Sequence, residues 1–143
     1  MPITQTLTTS FKVQLLSAGQ NFTSGTGNTY KMALYTSAAT LDATTATYTA
    51  SNEVVGTGYT AGGNTLSISQ SPTSGGTTAF ISFANTSWTG ASFTCRGALI
   101  YNSSNANASV AVFDFGSDKT VVAGTFTIQF PTADATNAVI RIA

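Results

Sequence analysis

From Tyr30 to the C-terminus the chain repeats one pattern: a short run of alternating apolar and polar residues, then a cluster of Gly, Asn, Ser or Pro. Alternation with period two puts every second side chain on one face of a strand, so each run needs a second layer to cover its apolar face. Tyr30, Met32 and Leu34 share a face of the first run. Leu66 and Ile68 alternate with Ser67 and Ser69, and Phe80-Ile-Ser-Phe83 follows a turn at Pro72-Thr-Ser-Gly-Gly76. Next, Phe93, Cys95, Gly97, Leu99 and Tyr101 are expected on one face, with Thr94, Arg96, Ala98 and Ile100 on the other. Val110 to Phe115 is apolar on both faces except for Asp114, the mark of a strand sandwiched between two layers. Phe126, Ile128 and Phe130 alternate with Thr127 and Gln129, and Asn137-Ala-Val-Ile-Arg-Ile142 is expected to pair inside a sheet. Strands this short and closely spaced predict an all-β fold, specifically a jelly-roll-like antiparallel β-sandwich.

One stretch departs from the pattern. Phe11 and Leu15 stand four apart, Ser10 is placed to cap and Gly19 to close, so a short helix is predicted within an N-terminal arm of residues 1–19. Two turns of helix are not stable alone and must dock on something. Residues 36–63 form a longer polar connection, expected as an ordered surface excursion with a small strand near Glu53-Val54-Val55. No repeat or linker divides the chain, so residues 1–143 are expected to form one domain. A chain of this length can build a core without a metal or disulfide staple. Cys95 is its only cysteine, which excludes an internal disulfide.

The composition then limits function. Only 7 % of residues are charged, against about 25 % in an ordinary soluble protein. Nine Phe, five Tyr and one Trp supply a core, so the chain folds and is not disordered. Its surface is solvated by hydroxyls and amides, and such a surface repels its own copies weakly. Lys12, Lys31, Arg96, Lys119 and Arg141 are scattered singly and the net charge is zero. Nucleic acid and anionic membranes, which select clustered Lys and Arg, are therefore not expected as partners. The N-terminus has no basic region followed by an apolar run, so a cytoplasmic origin without a signal peptide is expected. The N-x-[ST] sequons at Asn21, Asn85, Asn102 and Asn107 carry no weight without such a signal.

No chemistry is expected from the side chains. The chain has no histidine, which removes Ser-His-Asp and Cys-His pairs and the commonest metal ligand. Cys95 reads as a buried structural thiol whose strand neighbour Arg96 points to the opposite face. Asp114 and Asp118 flank Phe115-Gly-Ser117 and could approach as a carboxylate pair or a weak calcium site, but turn capping and an Asp118–Lys119 contact are the simpler expectation. The glycines of Gly56-Thr-Gly58-Tyr-Thr-Ala-Gly62-Gly63 lead into a strand and lack a nearby lysine, so they suit a turn and not a phosphate loop. No catalytic residue, cofactor or metal is expected. A sugar-binding face would need exposed aromatics beside amides, for which Trp88, Tyr101 and Asn102 are the candidates, against the simpler reading of Trp88 as core.

Three stretches carry a resemblance. They are Ser10-Phe-Lys12 with Leu15-Leu16 and Tyr30-Lys-Met-Ala-Leu-Tyr-Thr-Ser-Ala-Ala-Thr-Leu41; Asn52-Glu-Val-Val-Gly-Thr-Gly-Tyr-Thr-Ala-Gly-Gly63; and Arg96-Gly-Ala-Leu-Ile-Tyr-Asn102 with Phe113-Asp-Phe-Gly-Ser-Asp-Lys119. Their order resembles a family of small virion-associated structural proteins of tailed bacteriophages, over nearly the whole chain. The resemblance implies a head decoration (cement) protein that clamps neighbouring major capsid subunits, commonly as a trimer, with no catalytic residue. Its partners would be the major capsid protein and copies of itself, and its location the virion. A tail or fibre position, with a tail protein or host glycan as partner, is the alternative. The interface is expected from the apolar N-terminal segment Ile3 to Leu16, with Ile3, Leu7 and Phe11, or from exposed aromatics such as Tyr35 and Tyr59; the alternative is that these residues belong to the core.

Overall fold

The computed structural model describes residues 3–143. The elements in order are β1 (Thr6–Leu7), α1 (Thr9–Leu16), β2 (Tyr30–Tyr35), β3 (Asn64–Thr65), β4 (Ile68–Gly75), β5 (Thr78–Phe83), β6 (Thr86–Asn102), β7 (Ala108–Ile128) and β8 (Ile140–Ile142). They build an all-β sandwich of two antiparallel sheets, one ordered β1-β7-β6-β2-β3 and the other β4-β5-β8. No helix among the described residues is long and apolar enough to cross a membrane.

The larger sheet is covered on both faces, which explains its apolar strands. On one face Tyr30, Met32, Leu34, Ala98, Ile100 and Val110 meet Ile81, Phe83 and Ile140 of the smaller sheet. On the other, Ala33, Tyr35, Leu99, Tyr101 and Val112 meet Ile3, Ala39 and Leu41. Residues 36–63, with the N-terminal segment, are thus a strap across the second face. The expected strand near Glu53 reduces to a single bridge between Glu53 and Tyr35. The strap returns through Gly62 and Gly63, both at positive φ. A Cβ on Gly63 would stand 1.7 Å from the Met32 carbonyl oxygen, so only glycine lets the strap enter β3 this close to β2.

The β6–β7 hairpin runs the length of the molecule and is sharply bent. From Cys95 to Gly97 β6 advances two residues, while β7 goes from Lys119 to Asp114, five residues, across the same gap. The surplus on β7 forms an excursion around Gly116 at φ +79°. Phe115 and Phe126 lie eleven residues apart in β7, which a straight strand would separate by roughly 35 Å. Their ring centroids are 6.3 Å apart. The same irregularity shifts the phase of β6: Phe93 and Cys95 face the main core together with Ala98 and Ile100, while Leu99 and Tyr101 face the strap. The uninterrupted alternation expected from Phe93 to Tyr101 is thereby corrected; a bulge moves every later side chain to the other face.

The helix starts two residues earlier than its sequence signal. Thr8, not Ser10, is the N-cap, its hydroxyl accepting from the Phe11 N–H at 3.4 Å. The Ser10 hydroxyl instead lies 3.1 Å from that of Ser109. Gly19 closes the helix as expected, its N–H donating to the Gln14 carbonyl at 2.7 Å. Phe11, fully buried, docks the helix by packing edge-on against Phe22.

Candidate binding surface

A docked short helix ordinarily presents polar residues outward. Here α1 carries apolar residues on both sides, with Thr9 and Lys12 also exposed on the outer one. Phe11 is buried and Leu15 packs against the core, while Val13 and Leu16 are 60 % and 92 % exposed. Beside the helix runs a groove of about 230 Å³, lined by Phe11, Leu15 and Phe22 on one side and Ile81, Ile140 and Ile142 on the other. No charged side chain lines it. Ile142, at its mouth, is 54 % exposed. Two further exposed apolar residues, Val55 on the strap and Val122 on β7, lie on other elements. A wider cleft of about 440 Å³ lies in the crook of the bent hairpin, between Phe113, Phe115, Ile128 and Phe130.

The most elaborate polar arrangement is internal. Glu53, buried in the strap, accepts hydrogen bonds from the Tyr48 hydroxyl (2.6 Å), the Tyr59 hydroxyl (2.5 Å) and the Gly62 N–H (2.7 Å). Tyr59 in turn accepts from the Leu34 N–H at 2.9 Å, and Tyr101 donates to the Gly62 carbonyl at 2.7 Å while stacking on Tyr48. Every partner of the carboxylate is neutral, and together they tie residues 48–62 of the strap to β2 and β6. Burial raises the pKa of all five tyrosines; the nearby Glu53 charge raises Tyr35 and Tyr101 further, and both hydrogen bonding and charge from Glu53 act on Tyr48 and Tyr59.

Arg96, Asp114, Lys119, Asp42 and Asp134 make their contacts within the fold. Arg96 Nε donates to Asp114 Oδ1 at 3.0 Å across the hairpin bend. The Gly116 N–H, then Arg96, hold the Asp114 carboxyl below its usual range. The expected Asp118–Lys119 contact is replaced: Lys119 donates to the Ser117 hydroxyl at 3.1 Å. Asp42 and Asp134 accept from hydroxyls and N–H groups of their own turns, which lowers both. Burial pushes the Cys95 thiol up to about 12, so it is a poor nucleophile. Among the described residues no three His, Cys, Asp or Glu side chains come together to hold a metal.

Three of the five residues expected at an interface lie inside. Ile3 and Tyr35 are buried beneath or beside the strap and Phe11 in the main core. Leu7 and Tyr59 are half-buried and pack against that core, and Tyr59 also serves Glu53. In this fold they are the interior that positions an exterior. The candidate sugar site does not assemble either. Trp88 is buried in the main core, Tyr101 faces the strap, and fully buried Asn102 donates to Gln20 and Asn28. The outward residues Val13, Leu16 and Ile142 were not singled out by spacing. Their sequence signal is the clustering of apolar residues at Phe11, Val13, Leu15 and Leu16, too many for one face of two helical turns.

No protein-family model, curated protein or solved structure matches this chain.

Proposed function

We propose that this chain is a non-catalytic structural subunit of a tailed-phage virion, placed on the head. There it would bind the outer surface of the capsid and stabilise contacts between neighbouring major capsid subunits. The observation that carries this reading is the pair of exposed apolar side chains on the outer side of α1, Val13 and Leu16, beside an apolar groove, on a chain with almost no charge. Exposed apolar surface of this kind serves contact with another protein. Weak charge repulsion suits a subunit packed beside its own copies, in the trimeric arrangement that the sequence resemblance implies. The virion is the location on this reading, reached from the cytoplasm of the host cell. A tail position would use the same surface on a different partner, whereas a host glycan loses its supporting residues with the burial of Trp88, Tyr101 and Asn102.

Attachment through such a surface depends little on charge. Binding of the purified protein to heads that lack it is expected to survive about 1 M NaCl, where screening reaches about 3 Å. Leu16→Asp alters a side chain that packs on nothing in the free protein, so folding stability should change by no more than about 0.5 kcal/mol. Attachment should weaken about tenfold or more, equivalent to about 1.4 kcal/mol. Co-sedimentation with heads measures both effects. Release at moderate salt, or a Leu16→Asp protein that binds like the original, would count against this surface.

A further inference from the structure

We infer that the groove beside α1 and the outer edge of β8 together take an extended apolar segment of a partner protein, added as a strand with alternate side chains entering the groove. The inference rests on the binding surface assigned above and names what occupies it. Size restricts the choice first. At about 230 Å³ the groove is smaller than the roughly 300–1,000 Å³ of ordinary small-molecule pockets. A groove of this size takes a few side chains of one segment, while a flat globular face would leave it unfilled.

Chemistry and backbone geometry restrict it further. The lining holds no charge, so a charged segment would lose its hydration without gaining a partner. Ile140 and Ile142, which line the groove, belong to β8, the edge strand of the smaller sheet. Its inner side pairs with β5 through Ala79, Phe80 and Ile81. Among the described residues its outer side pairs with no strand. An edge of this kind offers main-chain hydrogen bonds to an incoming strand, and pockets for alternate side chains give the selectivity. The other edge strand of this sheet, β4, carries Pro72 and is broken by register shifts, which leaves β8 as the regular edge.

The test selects ligands from a random library of peptides of about seven residues, an ordinary strand length, against the immobilised protein. Selected sequences should carry uncharged apolar residues at every second position. Ile142→Lys and Ala79→Lys both alter exposed or half-exposed lining residues, and each should weaken the selected peptides at least tenfold, while Val122→Lys on β7 should not. Amide hydrogens of Ile140–Ile142 should exchange more slowly with peptide bound. Absence of any selected peptide, apolar residues at helical spacing, or binding indifferent to both lining variants would overturn the inference. Those outcomes leave the virion reading standing, because presence in particles is measured separately; selected peptides with no protein in particles would do the reverse.

Discussion

Glu53→Ala is expected to lower folding stability by about 4 kcal/mol, a large share of the roughly 5–15 kcal/mol that holds a domain together. The carboxylate receives three hydrogen bonds in a buried site. Bonds to a charged acceptor contribute roughly 1.5–3 kcal/mol each and do not add fully, while each buried donor left unpaired costs about 1–3 kcal/mol. Alanine removes all three bonds and leaves two hydroxyls and an N–H facing each other. Glu53→Gln keeps one carbonyl oxygen for Tyr59 and Gly62, and the Tyr48 hydroxyl can rotate to accept from the new amide. It should therefore cost about half as much. Denaturant unfolding of the two variants measures the difference, and amide exchange in residues 36–63 should rise first. A loss below about 1 kcal/mol for alanine would mean that the strap is held by its apolar contacts alone.

The second large effect is alkaline unfolding. All five tyrosines have their pKa raised in the folded chain, with burial the first cause in each. A raised pKa stabilises fully below the unfolded value and is lost as pH climbs toward the folded value. The window therefore opens near pH 10, the ordinary tyrosine value, with Cys95 contributing from its ordinary value upward toward about 12. Counting only Tyr30 and Tyr35, which are almost wholly buried, stability should fall by roughly 3 kcal/mol per pH unit above that point. The chain should unfold in one narrow step, with tyrosinate absorbance and loss of circular dichroism rising together. Gradual tyrosine ionisation centred near pH 10 in a protein that keeps its dichroism would contradict the burial of these rings.

The strands were legible because period two is a local property. Tyr30, Met32 and Leu34 do share a face, and Val110 to Val112 is buried on both sides as its unbroken apolar run implies. What depends on distant partners was not legible. The bulge opposite the Gly116 excursion reverses the facing of Leu99 and Tyr101, and nothing in β6 alone announces it. The same holds for the second core: Tyr35 on an alternating strand reads as exposed until the strap is known to lie over it. Glu53 was visible only as a residue in a polar stretch, because its donors come from Tyr48, Tyr59 and Gly62 through a fold of the strap. The proposed binding surface was half legible. The helix was expected, but its docking through Phe11 decides that Val13 and Leu16 face out and Phe11 does not.

Whether this chain is a lattice-covering virion subunit is tested most directly by its copy number. On the proposed reading, particles of the phage that carries this chain would be purified and the chain quantified against the major capsid protein by mass spectrometry. Head decoration predicts hundreds of copies per particle, in fixed proportion to the capsid protein. A handful of copies would contradict the head position and move the chain to the tail or a vertex, and its absence from particles would contradict the virion reading itself.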